Sequence, residues 1–330
     1  MISESVSPEP PHSGDPESRA LRQAARARVI GALVVFISSI AFSTKAILVK
    51  LAYRQGIDSV SLLALRFGFS APFFAYGAFG THFRGDRPRA LTRREIGTLI
   101  ALGVLGYYLA SLSDFIGLRY ISAGLERLIL FVYPTMVVVL EAVLFKIRLS
   151  RRQTLALFIT YAGIFFAFHG ELGSFGSDVP RGAAWVFASA LTYAVYLIGA
   201  GQMVPKLGSQ RFTALALLAA TAAVLLHACL SGAKLLGLPP VAYVIGLVMA
   251  LLATVLPAFL LARGIALLGS GPAAIVSTVG PVSTIVLAYL VLQEAISATE
   301  FVGTALVVSG ATLVASGGKR APRDRRPSSS

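Results

Sequence analysis

Charge is scarce in this chain. Only 13% of its 330 residues are Asp, Glu, Lys or Arg, against about 25% in a typical soluble domain. That is too little to coat a water-facing surface. The composition is 56% hydrophobic, with a mean hydropathy of +0.76. A soluble globular domain is therefore excluded, and a polytopic membrane protein remains. Cysteine is scarcer still. Cys229 is the single one, which excludes an internal disulfide and any Cys-based metal cluster. Acidic residues are outnumbered, 15 against 29 basic ones, for a net charge of +14. A nucleic-acid partner would need those basic residues clustered on a soluble face. They sit instead in short loops and tails between apolar runs, so no nucleic-acid partner is expected.

Catalytic signatures are missing as well. The chain has no HExxH, no GxSxG elbow, no paired catalytic aspartates and no GxxxxGK[ST] phosphate loop. Cys229 has no plausible histidine partner. An enzyme is not expected, nor direct drive by ATP, and no cofactor or metal is called for.

What the chain does have is apolar runs. A bilayer core about 30 Å thick takes about 20 residues of helix. Ten segments qualify: 29–52, 57–80, 95–113, 121–145, 153–171, 181–201, 211–231, 241–263, 270–293 and 296–317. The expected fold is all-α, with ten transmembrane helices. The first run is too long for a signal-peptide core. The polar stretch 1–28 and the basic end 318–330 read as disordered cytoplasmic tails. Lys and Arg test the count independently. With the N-terminus inside, 21 of them fall in cytoplasmic segments and only Arg54, Arg119, Arg181 and Lys234 fall outside. Such asymmetry is the positive-inside pattern. It places both termini in the cytoplasm and the chain in a plasma (inner) membrane.

The two halves resemble each other. Shifted by 147 residues, GLRYISAGLERLILFVYPTMVVVLEAVLFKIRLS (117–150) lies over GIALLGSGPAAIVSTVGPVSTIVLAYLVLQEAIS (264–297) without a gap. Gly117 meets Gly264, Gly124 meets Gly271, Pro134 meets Pro281 and Gly163 meets Gly310. The repeats are 29–171 and 181–317, with five spans each. An odd number of spans makes the second repeat enter the membrane from the opposite side. Inverted repeats of this kind belong to secondary transporters working by alternating access.

Several short motifs carry a family likeness. FSTKAILVK ends on Lys50, LLALRF carries Arg66, and the mid-span prolines are Pro134 and Pro281. LVLQEAIS contains Glu294 and is followed by Gly303 and Gly310. Together with ten spans and the repeat, these motifs resemble the drug/metabolite transporter superfamily, EamA-domain type, over about residues 30–317. The resemblance implies transport of a small metabolite, with export as the implied direction. The chain departs from the pattern at Ile147, the counterpart of Glu294, and in the additional charges Lys45, Glu126 and Arg127.

An ionisable residue at a helix centre costs about 2.5–3.5 kcal/mol on insertion scales. Lys45, Arg66, Asp114, Glu126 and Arg127 all lie in or near the first four spans. In the second repeat Ala273 and Ala274 replace Glu126 and Arg127. Helical spacing collects these charges into polar stripes: Ser38 with Lys45, Ser59 with Arg66 and Ser70, Tyr107 with Ser111 and Asp114, Glu126 with Tyr133. Uncharged stripes follow in the second repeat: Ser189, Tyr193 and Tyr196, then Ser277 and Thr284.

The functional reading is a water-accessible cavity. Arg66 and Lys45 would hold an anionic group of the substrate. Glu126 or Asp114 would hold an ammonium group or carry a coupling proton or ion. Tyr107, Tyr133 and Tyr193 would pack against the substrate body. The structural reading is that the charges pair to hold helices together, with Lys50, Asp114 and Glu141 snorkelling to the headgroups. Arg127, on another face, would pair or reach outward. Pro134 and Pro281 each free a backbone carbonyl, as a hinge beside the substrate path or as a static kink. Mixed charge favours a zwitterion such as an amino acid as the small-molecule substrate. The alternative is a lipid- or drug-handling membrane protein, or a sensor, without metabolite flux.

Overall fold

The computed structural model describes residues 16–79 and 90–316. The rest of the expected tails and the basic stretch 80–89 lie outside the described residues. Among the described residues, ten helices are long and apolar enough to cross a membrane. Spans 1–5 are Ala25–Arg54, Ser59–Phe79, Arg93–Gly117, Ala123–Leu144 and Arg151–Leu172. Spans 6–10 are Val179–Leu207, Ser209–Leu230, Pro240–Leu268, Pro272–Leu292 and Ala298–Ala315. Large apolar side chains such as Phe158, Phe165, Leu230 and Phe301 stay exposed on the outside of the bundle. In a bilayer these face lipid.

Residues 16–28 differ from expectation. The first helix begins at Pro16 and continues to Arg54, so this part of the tail is helical. Its run of Ala, Arg, Leu and Gln consists of good helix formers, and the proline-rich composition ends before it. Spans 6 and 8 also run past their expected ends, to Leu207 and Leu268. A helix need not stop where its hydrophobicity does. The turns after them use Gly208 (φ 77°) and Gly269 (φ 83°), a left-handed conformation that glycine adopts without strain.

The two halves break at matching points, 147 residues apart. Span 3 contains a π-helical segment at Val104–Leu109, and span 8 one at Leu251–Val255. Span 4 is interrupted after Leu130 and resumes at Tyr133; span 9 is interrupted after Ser277 and resumes at Val279. Lys146 (φ 52°) and Gln293 (φ 61°) are left-handed at matching ends of spans 4 and 9. Ser150 and Ser297 then accept the amides of Gln153 and Glu300, capping spans 5 and 10.

Packing follows the same exchange. Span 1 packs on span 8, and span 6 on span 3; span 1 also packs on span 9, and span 6 on span 4. Span 2 meets span 7, and span 5 meets span 10. Small residues make the closest approaches, as is usual between membrane helices. A Cβ on Gly163 would lie 2.7 Å from the Gly303 carbonyl oxygen. A Cβ on Gly264 would meet Val35, and one on its counterpart Gly117 would meet Val186. The Gly positions of the repeat are thus contact points between its halves.

Candidate functional site: a buried charge cluster

Three helices bring the central charges together. Lys45 on span 1 has its Nζ 2.5 Å from Asp114 Oδ2 on span 3 and 3.0 Å from Glu126 Oε1 on span 4. All three residues are buried, Glu126 completely. Span 1 places Lys45 by two inter-repeat hydrogen bonds nearby. Ser38 Oγ donates to the Pro257 carbonyl at 2.9 Å, and Ser43 Oγ to the Gly280 carbonyl at 2.9 Å. One ammonium bridges two carboxylates in a low-dielectric site, where a buried charge needs a partner. Asp114 therefore pairs at depth and does not snorkel.

Arg66 takes a different place. Its Nε donates to Thr254 Oγ1 on span 8 at 2.8 Å. Its guanidinium lies against the Phe67 and Phe115 rings, at 5.4 and 5.8 Å. Among the described residues it forms no ion pair. The exchanged position in the other half has a counterpart contact: Thr213, 147 residues after Arg66, interacts with Tyr107, 147 residues before Thr254.

Arg127 neither reaches outward nor forms an ion pair among the described residues. It is 8% exposed. Its guanidinium sits 4.9 Å from the centre of the Phe42 ring, which Lys45 also approaches at 5.6 Å. Its Nη2 fills the space that a Cβ on Gly280 would need, 2.8 Å away.

The expected tyrosines form one aromatic cluster. Tyr133 meets Tyr193 edge-on at 5.2 Å, Tyr193 stacks on Tyr196 at 5.6 Å, and Tyr196 meets Tyr107 at 5.0 Å. The Tyr107 and Tyr196 hydroxyls are 3.0 Å apart. The interruption after Leu130 lies between Glu126 and Tyr133, so their seven-residue spacing does not run along one unbroken helix.

Pro134 and Pro281 are helix starts rather than kinks within a continuous helix. Pro134 stands in the first turn of Tyr133–Leu144, and Pro281 near the start of Val279–Leu287. An early proline position suits a helix N-terminus, where its missing N–H is not needed.

A second polar group lies at the end shared by spans 1, 4, 5, 9 and 10. Lys50 Nζ pairs with Glu294 Oε1 at 2.7 Å, so it does not snorkel. Glu294 Oε2 accepts the Ala123 amide at 3.0 Å. Glu171 accepts the Ser122 amide, and also the Ser122 hydroxyl at 2.6 Å. Arg54 donates to the Leu292 carbonyl at 2.8 Å. Ser122, Glu171, Glu294 and Glu300 line a cavity of about 270 Å³. Glu171 carried no spacing signal, and Glu294 stood out only as a motif. Their partners lie on spans remote in sequence. Glu141 is exposed, as an interfacial residue would be.

A sequence model of the EamA-like transporter family matches residues 29–169 and again residues 180–316. The chain belongs to this family. Two relatives are named as transporters. It is 29% identical over 292 residues to the uncharacterized transporter YcbK of Bacillus subtilis (strain 168), covering 87% of this chain and 92% of that one. It is 26% identical over 322 residues to the uncharacterized transporter sll1319 of Synechocystis sp., covering 89% and 95%. A solved crystal structure shares the fold with a TM-score of 0.57 at 18% identity, covering 86% of this chain and 95% of that one. The drug/metabolite transporter likeness read from the motifs stands. These comparisons point to a membrane transporter rather than an enzyme.

Proposed function

We propose that this EamA-family chain is a secondary transporter for a small zwitterionic metabolite, such as an amino acid. The observation that carries the reading is a set of buried atoms without hydrogen-bond partners. Two are acceptors, Asp114 Oδ1 and Glu126 Oε2; two are donors, Arg66 Nη1 and Arg127 Nε. Leaving such a group unsatisfied costs about 1–3 kcal/mol, and more when it is charged. A solute with both an ammonium and a carboxylate group complements both kinds. Its ammonium would take the acidic oxygens and its carboxylate the guanidinium side.

The matched breaks in spans 3 and 8, and in 4 and 9, support alternating access between inverted five-helix halves. Pro134 and Pro281 stand at these breaks and serve as hinges. Glu126, held on one oxygen only, is the group suited to carry a coupling proton. The Lys and Arg distribution supports cytoplasmic termini in the plasma (inner) membrane. The family likeness supports export as the direction.

Flux of a labelled pool of amino acids in proteoliposomes, with and without a pH gradient, tests this reading. Saturable flux that depends on the protein is expected. Folded protein with no flux for any amino acid would contradict it and favour a lipid or drug substrate.

A further inference from the structure

The geometry points to Arg127 as the receptor for the substrate carboxylate, in a pocket made by Phe42 of span 1 and Gly280 of span 9. This assignment rests on the zwitterion reading and names which cation holds the anionic end. Three basic side chains are buried near the site: Lys45, Arg66 and Arg127. Lys45 is shared between two carboxylates. Arg66 keeps Nη1 without a partner, but its Nε is tied to Thr254 and its guanidinium is flanked by two phenylalanine rings.

Arg127 is the exception. It is more than nine-tenths buried, and its Nε has no partner. Among the described residues no hydrogen bond or ion pair reaches its guanidinium. Its guanidinium lies over the Phe42 ring and against the bare Cα of Gly280. Gly280 cannot be relieved of this packing by its own carbonyl, which already accepts Ser43 Oγ at 2.9 Å and Thr284 Oγ1 at 3.1 Å. A buried guanidinium with a planar fork of free donors is suited to grip a carboxylate with two parallel hydrogen bonds.

Charge argues the same way. Asp114 and Glu126 both pair with Lys45, so among the described residues no carboxylate forms an ion pair with Arg127. A substrate carboxylate would supply that partner. Location adds a mechanism. Arg127 belongs to the first half and Gly280 to the second, so movement between the halves changes the space around the guanidinium. Binding there would be coupled to the conformational step.

The test uses the full-length protein in proteoliposomes loaded for uptake of a labelled mixture of the common L-amino acids. Competition by the unlabelled mixture is compared with competition by the corresponding methyl esters, whose carboxylate is masked. The readout is the ratio of the two inhibitory concentrations, which is independent of the fraction of protein that is active. In the wild type, free amino acids should compete at least about tenfold better, as expected for charge-assisted hydrogen bonds. Arg127→Gln should bring the ratio close to one. Arg127→Lys, which keeps charge but loses the fork, should give an intermediate ratio. Gly280→Ala, whose new methyl displaces the guanidinium, should lower it too. The last two variants carry the test if Arg127→Gln does not fold. Transport-competent variants with the wild-type ratio would overturn the Arg127 assignment alone. Absence of amino-acid flux in folded wild type would overturn this assignment and the zwitterion reading together.

Discussion

Lys45 and Glu126 meet at 3.0 Å inside the membrane, although 81 residues separate them in sequence. Asp114 approaches the same ammonium at 2.5 Å. Removing the cation alone leaves two buried carboxylates facing each other. We predict that Lys45→Met lowers stability by about 3–5 kcal/mol, the usual result of orphaning a buried charge. Adding Glu126→Gln to it should recover part of that loss. Thermal unfolding in detergent measures both, and an unchanged melting temperature for Lys45→Met would refute the triad's structural role.

Spans 5 and 10 touch through Gly163 and Gly303. A methyl on Gly163 would come within 2.7 Å of a backbone oxygen that cannot move aside. Gly163→Ala should therefore cost about 1–3 kcal/mol through overpacking. Gly201, with nothing within 4 Å of its would-be Cβ, is the control: Gly201→Ala should not destabilise. Similar melting temperatures for the two variants would contradict this packing.

Glu294 joins the halves by binding Lys50 and the Ala123 amide. Glu294→Gln should weaken that closure and open the adjoining cavity. A cysteine at Ala288, which lines the cavity and is 3% exposed, reports on it in a Cys229→Ala background. Its labelling by a membrane-impermeant maleimide should be several-fold faster with Glu294→Gln. Equal rates would show that Glu294 is not part of the closure.

Asp58 caps span 2, accepting the Val60 and Ser61 amides, each at 2.9 Å. Burial raises its carboxyl, but the hydrogen bonds from Ser61 and Val60 outweigh this and hold it below the usual carboxylate range. Its folded value is thus depressed. The contribution is complete above the ordinary carboxylate range and is lost as pH falls through the lowered folded value. Asp58→Ala should cost about 1 kcal/mol at neutral pH, and less in acid. A cost independent of pH would contradict this.

Much of this fold can be read from the sequence. Apolar length gives ten spans, because oil admits only helices whose backbone is satisfied internally. The 147-residue shift anticipates the paired breaks at Pro134 and Pro281, since proline marks them openly. The π segments at Val104–Leu109 and Leu251–Val255 contain no proline and leave no such signal. Spacing identifies Lys45, Asp114 and Glu126 as interior charges, and these three converge. It does not identify partners. Thr254 for Arg66, Glu294 for Lys50 and Ser122 for Glu171 come from other spans, and periodicity along one helix says nothing of which helix lies opposite. Arg127, on another face than Glu126, lies over Phe42 of span 1 and against Gly280 of span 9, neither of which spacing along span 4 reveals.

On the proposed function, the solute passes the Lys45–Asp114–Glu126 cluster. Flux of the labelled amino-acid pool in proteoliposomes tests this, for wild type and Glu126→Gln, with the folded state of each checked by gel filtration and melting. Loss of at least about tenfold of the wild-type flux in a folded Glu126→Gln is the predicted result, the size expected for a charge-assisted contact. Equal flux in the two proteins would contradict it and leave the cluster as a structural ion pair between helices.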